Sequence, residues 1–258
     1  MIEPIMLEKI RHELKRIEAE ENVVILYAIE SGSRAWGFPS QDSDYDVRFI
    51  YSRTKEDYLS IDDPHDVLEY PINDLLDISG WDLKKALKLC RKGNPALAEW
   101  LYSPIVYQAN SLFLNEFRQL ADSYFSASSM IHHYLHMADG NFRGYLKSDL
   151  VKIKKYFYVL RPILACMWIE KYRCNPPILF VDLLNDPILA PELRRCIEAL
   201  LARKLAGEEF DLELKIERIN QFIEEKINYY QQYVHTLAKF DVPDNQMANA
   251  LFRKWLKQ

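Results

Sequence analysis

The chain has 258 residues, room for one large domain or two modest ones, and its hydrophobic (49%) and charged (28%) fractions are ordinary for a protein with a packed core. A formal net charge of −5 excludes a globally basic nucleic-acid binder, so any nucleotide or nucleic-acid contact has to come from local basic patches. No apolar run approaches the roughly 20 residues that span a bilayer, the longest lying around Ile163 to Ile169 beside Arg161 and Glu170.

The acid-rich start, MIEPIMLEKIRHELKRIEAEE, lacks a long apolar stretch and reads as neither a signal nor a transit peptide. Its residues 6–21 predict an amphipathic helix, with Leu7, Ile10, Leu14 and Ile17 at 3-4-3 spacing. The β-branched run VVILYAI (23–29) predicts a buried central strand, and Gly32-Ser33 follows it at once. Further strands are expected at 45–51, 67–70 and, short, near 75–78. Asp82 is a good N-cap for a helix over LKKALKLCRK that Gly93 stops. From there to Gln258 the period is helical, broken at prolines such as Pro95, Pro104 and Pro243. The expected fold class is α+β: an N-terminal mixed sheet with flanking helices as catalytic domain (1–105), then an all-helical substrate-binding domain (106–258).

The chemistry concentrates in IESGSRAWGFPSQDSDYDVRFIY, residues 29–51. Side chains alternate along a strand, so Asp44 and Asp46 share a face with Cα atoms about 6.5–7 Å apart. Two such carboxylates suit a pair of divalent ions about 3.5–4 Å apart. Tyr45, Val47 and Phe49 then face the core. Aspartate is a poor strand former, so two here cost stability and call for a functional reason. The turn at Gly32-Ser33 offers backbone N–H groups and close approach to a phosphate, to which the Ser33 hydroxyl and Arg34 add donors. Arg48 shares the face of the two aspartates, where it either balances their charge in an ion pair or touches a triphosphate.

Gly32-Ser33 followed by Asp44-x-Asp46 resembles the signature of the DNA polymerase β-like nucleotidyltransferase superfamily. The wider strings GSRAWGFPSQDSDYDVRFIY and LDISGWDLKKAL look like its bacterial and phage branch, some of it linked to RNA repair. LYSPIVY (101–107) and KKYFYVLRPILA (154–165) also look like that branch but carry no known chemistry. The resemblance implies a third acid, flanked by apolar residues, on a nearby strand. Leu76-Asp77-Ile78 matches that pattern, with Glu69 as rival, so Asp44, Asp46 and Asp77 are the implied catalytic and metal-binding residues. It implies further that Gly32, Ser33, Arg34 and Arg48 surround an NTP, that two Mg²⁺ ions (Mn²⁺ as substitute) are the cofactors, and that an NMP is moved to an acceptor hydroxyl with release of pyrophosphate. An RNA 3′ end is the first expected acceptor, ahead of a protein hydroxyl (AMPylation) and an aminoglycoside-type small molecule. An antitoxin-like binding protein with a vestigial site is the rival class.

Two other features bear on partners. His132 and His136 stand at i, i+4, a spacing that can hold zinc, but no third ligand is visible and a partly buried helix face is the expectation. Lys147, Lys152, Lys154, Lys155 and Arg161, interleaved with Tyr156, Phe157 and Tyr158, form the clearest basic cluster. Lysines and aromatics on one helix can bind phosphates and stack bases, or form a solvated face over a core stripe of Leu150, Ile153, Phe157, Leu160 and Leu164. Because the resemblance includes this stretch, it implies that Lys154, Lys155 and Arg161 meet the acceptor, on a helix that walls the active cleft. The cysteines Cys90, Cys166, Cys174 and Cys196 have no paired spacing and read as buried reduced thiols of a cytoplasmic protein. No membrane partner is expected, and the oligomeric state is not legible.

Overall fold

The computed structural model of the chain describes residues 2–40, 43–71, 75–207, 212–238 and 241–256. In chain order it begins with α1 (Pro4–Glu20), β1 (Val24–Glu30), the single turn α2 (Gly32–Ala35), β2 (Tyr45–Ser52), α3 (Lys55–Tyr58), β3 (Val67–Glu69) and β4 (Leu76–Asp82). Next come α4 (Leu83–Arg91), α5 (Pro95–Leu101), β5 (Val106–Ala109), α6 (Ser111–Ser123), α7 (Ala127–Tyr145), β6 (Leu150–Lys152) and α8 (Lys155–Tyr172). The chain continues through α9 (Phe180–Leu184), α10 (Pro191–Leu205), β7 (Leu212–Leu214), α11 (Glu217–Tyr233) and α12 (Gln246–Lys254). The class is α+β, as expected. Three short strands, β5, β6 and β7, fall where helical period was read, and β4 runs on past residue 78 to Asp82. Three or four residues are too few to show a period of two against a helical background.

The main sheet has the order β3-β4-β2-β1-β5. Strands β2 and β4 run parallel, and every other neighbouring pair is antiparallel. Alternation gives each strand two different faces. Val47 and Phe49 of β2 and Ile78 of β4 pack with the fully buried Ile10, Leu14 and Ile17 of α1. On the other face Ile50 joins Leu87 of α4, Trp100 of α5, Phe117 of α6 and Leu251 of α12. Trp81 stacks on Trp100 with ring centroids 3.7 Å apart. Gly80 stands opposite Phe49 in the β2–β4 ladder, and a Cβ there would overlap the phenyl ring.

Local signals set the helix ends. The Asp82 carboxylate accepts the Lys84 N–H at 2.7 Å, so it is the N-cap of α4. Gly93 takes φ +62° just after that helix, a conformation glycine adopts without a Cβ penalty. Asn94 and Asn110 cap α5 and α6 in the same way as Asp82.

The chain divides into two compact units: Met1–Ala35 with Ser43–Tyr124 and Val242–Gln258, and Trp36–Asp42 with Phe125–Asp241. These units are drawn differently from a cut at residues 105 and 106. The first keeps β5, which completes the sheet, and α6, whose Phe113 and Phe117 are fully buried in its core. It also takes back α12, which returns Ala248 and Leu251 to the same core.

In the second unit α8 packs against α7, α9 and α11, and twelve of its residues are buried, including the internal Pro162. Phe38 is buried with ring centroids 5.1 Å from Phe157 and 5.4 Å from Phe180, and the Trp36 carbonyl accepts the Phe180 N–H at 2.9 Å. Strands β6 and β7 pair as an antiparallel ribbon. Cys90 and Cys166 are buried thiols, but Cys174 is exposed and Cys196 half-buried, against the expectation of four buried sulfurs. Among the described residues, no helix is long and apolar enough to cross a membrane.

Candidate active site

The parallel pairing of β2 with β4 brings the acids together. Asp46 and Asp77 are direct partners in that ladder, so their side chains leave the same face of adjacent strands, about 4.8 Å apart along the hydrogen-bonding direction. Arg48, two residues along β2, reaches back over both. Its Nη2 donates to Asp46 Oδ1 at 3.1 Å and to Asp77 Oδ2 at 2.7 Å, and its Nη1 donates to the carbonyl of Asp77 at 3.0 Å. A guanidinium therefore stands where the two carboxylates need a cation. All three side chains are partly exposed, so the ion pairs remain accessible to solvent and ligand.

Asp44 is exposed and sits just ahead of β2 rather than within it. Burial raises the pKa of Asp46; Arg48 opposes that rise, and the negative charges of Asp77 and Asp44 add to it. Asp44 is thus close enough to be felt by Asp46. Glu69, the rival third acid, is exposed on β3 and pairs with Ser79, on the far side of β4 from Asp46. Asp77 is the acid next to Asp46.

Gly32 holds φ +60°, and a Cβ there would stand 2.9 Å from the Asp46 Cγ and overlap one of its oxygens. Only a glycine lets the turn after β1 come this close to the carboxylate. The Ser31 N–H donates to the Asp46 carbonyl at 2.8 Å, which ties that turn to β2. Ser33 is buried beside it. Arg34 is engaged differently from a free triphosphate donor. Its Nε and Nη2 donate to the carbonyls of Asp44 (3.1 Å) and Ser43 (2.7 Å), and its guanidinium lies 3.7 Å from the Tyr45 ring centroid. Arg34 thereby fixes the backbone that presents Asp44.

Sequence reasoning missed Glu30, the last residue of β1. It is 0% exposed, yet its Oε1 accepts the Asp46 N–H at 3.0 Å and its Oε2 accepts the Tyr107 hydroxyl. Burial pushes its pKa up to about 7, against the lowering effect of the Tyr107 and Asp46 hydrogen bonds. One signal was available: an acid closing an otherwise apolar strand directly before the Gly-Ser turn.

The oxygen-only donor set of Asp44, Asp46 and Asp77 is of the kind hard divalent cations take. As the side chains stand, no three acids or histidines among the described residues are gathered closely enough to hold an ion, because Asp46 and Asp77 are drawn onto Arg48.

The basic cluster of the second unit is only partly open. Lys154 is exposed, and the Lys155 ammonium lies 4.3 Å from the Tyr145 ring centroid and 5.1 Å from that of Tyr158, both rings being exposed. Arg161 departs from the expected open phosphate contact. It is 2% exposed, 4.6 Å above the Trp36 ring, because α8 is enclosed on nearly every side. Tyr156 and Phe157 are likewise buried and present no face to a base. His132 and His136 project from the exposed side of α7 instead of a partly buried one.

A mixed sheet with flanking helices is the fold expected of a polymerase β-like nucleotidyltransferase. The chain belongs to the RNA repair pathway DNA polymerase beta family, whose model matches residues 6–254. It is 55% identical over 222 residues to YcgL of Bacillus subtilis (strain 168), covering 86% of this chain and 85% of that protein. Among solved structures it is similar to a nucleotidyltransferase-like protein from Exiguobacterium sibiricum 255-15, determined at 1.90 Å. That match has 13% identity and a TM-score of 0.33, and covers 91% of this chain and 81% of the other.

Proposed function

We propose that the protein moves a nucleoside monophosphate from an NTP to the 3′ hydroxyl of an RNA, releasing pyrophosphate. The observation that carries the reading is the in-register pair of Asp46 and Asp77, with Gly32 backed against the Asp46 carboxylate. Asp44, Asp46 and Asp77 would hold two Mg²⁺ ions, which neutralise triphosphate charge and lower the pKa of the attacking hydroxyl. Mn²⁺ accepts the same oxygen ligands. Arg48 releases the carboxylates when the nucleotide arrives, and its guanidinium becomes available to a phosphate oxygen. Gly32 and Ser33 admit the triphosphate close to the backbone, while Arg34 keeps Asp44 in place through the carbonyls it holds.

The choice of RNA rests on the family description, which names an RNA repair pathway, and on Lys154 and Lys155 beside the exposed rings of Tyr145 and Tyr158. The test is incubation with each α-³²P-labelled NTP and Mg²⁺, with either total RNA or cell lysate as acceptor. Label at RNA 3′ ends is the expected result. Label on a protein band or on a small molecule overturns the acceptor, and no label anywhere overturns the transfer.

A further inference from the structure

Asp46 has both of its main-chain groups held by the end of β1. Its carbonyl takes the Ser31 N–H, as an antiparallel ladder would provide. Its N–H has no such carbonyl, because the ladder ends at the pair Glu30–Val47. The Glu30 carboxylate supplies the missing acceptor. By strand alternation Val47, on the α1 face, marks the side opposite the Asp46 carboxylate, and Tyr107 packs in that same α1-side core. Glu30 therefore acts on Asp46 through the peptide, from behind the strand, and touches none of the reacting groups.

The segment 101–107 holds the remaining polar groups of Glu30. The Glu30 N–H donates to the Ile105 carbonyl at 3.0 Å, its carbonyl accepts the Ser103 hydroxyl at 2.6 Å, and its second carboxylate oxygen accepts the Tyr107 hydroxyl. Ser103 is itself buried. This gives a role to LYSPIVY, the string that carried no chemistry in the sequence. A buried acid whose polar groups are all satisfied, three by the segment 101–107 and the fourth by the Asp46 N–H, is a costly arrangement if only the fold is served, since an apolar residue would fill the space without desolvating a carboxyl.

We infer that Glu30, held by Ser103 and Tyr107, is a positioning residue that sets the start of β2 so that the Asp46 carboxylate stands in register with Asp77 for transfer. The inference rests on the nucleotidyl-transfer reading. Supporting groups of this kind are worth about 10- to 100-fold in activity or metal affinity. Glu30→Ala removes the acceptor, Glu30→Gln keeps an oxygen for the Asp46 N–H, and Tyr107→Phe frees the second carboxylate oxygen while leaving the first in place. The expected result is a kcat reduced by about 10- to 100-fold in E30A, with KM for the NTP nearly unchanged. E30Q should recover most of that loss, and Y107F should fall between them.

The second readout is the Asp46 amide in a ¹⁵N–¹H spectrum of the full chain, which should lose its hydrogen-bonded shift in E30A and keep it in E30Q. Wild-type kcat in E30A overturns the inference. If E30A does not fold, Y107F and E30Q decide: equal kcat in wild type and Y107F, with an unmoved Asp46 amide, overturns it. A wild type without turnover on any acceptor sinks the transfer reading instead. In that case an Asp46 amide unmoved in E30A overturns the positioning as well, and a displaced one supports it.

Discussion

Replacing Glu30 by glutamine should make stability less sensitive to pH, in a direction and window that its surroundings fix. The folded-state pKa is raised from the ordinary 4.5 to about 7, burial being the main cause. Between those values the folded chain holds a proton that the unfolded chain has released. Stability contributed by the protonated acid is therefore present in full below about pH 4.5 and lost as pH rises to about 7. At roughly 1.4 kcal/mol per pKa unit, the ionised carboxyl costs the folded state about 3 kcal/mol above neutrality.

Glutamine has the same shape, accepts the Asp46 N–H and does not titrate. The wild type should lose stability relative to E30Q by about 3 kcal/mol between pH 4.5 and 8, while other titrating groups largely cancel in the difference. Urea unfolding of both proteins at pH 5, 6, 7 and 8 measures it. An m-value of about 1–3 kcal/mol/M turns the effect into a relative midpoint shift of roughly 1 M or more. A difference between the two proteins that stays flat from pH 5 to 8 would show instead that Glu30 is solvated or permanently ionised.

Three more outcomes follow from the same geometry. Gly32→Ala puts a Cβ onto the Asp46 carboxylate at a φ of +60°; it should cost about 1–2 kcal/mol in backbone alone and lower transfer by about 10²-fold, as urea titration and turnover will show. Arg48→Met leaves Asp46 and Asp77 facing each other without a cation. The loss should be about 1–2 kcal/mol, discounted for partial exposure, and Mg²⁺ with NTP should raise the melting temperature of this variant more than that of the wild type. Lys154→Ala with Lys155→Ala should flatten the log–log salt dependence of RNA binding by roughly 1.4 units, at about 0.7 per lost contact, with NTP binding unchanged; an unaltered slope removes these lysines from the RNA interface.

The parts of the site that could be read in the sequence are those with a local pattern. Asp46 alternates with the core residues Tyr45 and Val47, Gly32 precedes a turn, and Asp82 caps a helix, all within a few residues of chain. Long-range pairing was not legible. Nothing in the sequence says that Arg48 bridges Asp46 to Asp77, because that depends on β2 lying parallel to β4 in one particular register. Glu30 escaped for the same reason: its partners Ser103, Ile105 and Tyr107 lie more than 70 residues away, the first two just before and the third on a four-residue strand too short to announce itself. Arg161 shows the converse error. Its neighbours Lys154 and Lys155 suggested a charged face, but the helix is wrapped on almost all sides, and burial overrode the local charge pattern.

In the proposed function Asp46 and Asp77 leave Arg48 to share a nucleotide-bound cation. A crystal structure of the chain with Mg²⁺ and a non-hydrolysable NTP tests it most directly. The expected result is carboxylate oxygens of Asp46 and Asp77 on the metal, Asp44 beside them, the triphosphate against Gly32 and Ser33, and Arg48 withdrawn from between the acids. A nucleotide bound elsewhere with the Asp46–Arg48–Asp77 bridge intact, or a metal held by Glu69 with Asp77 outside its shell, would contradict it.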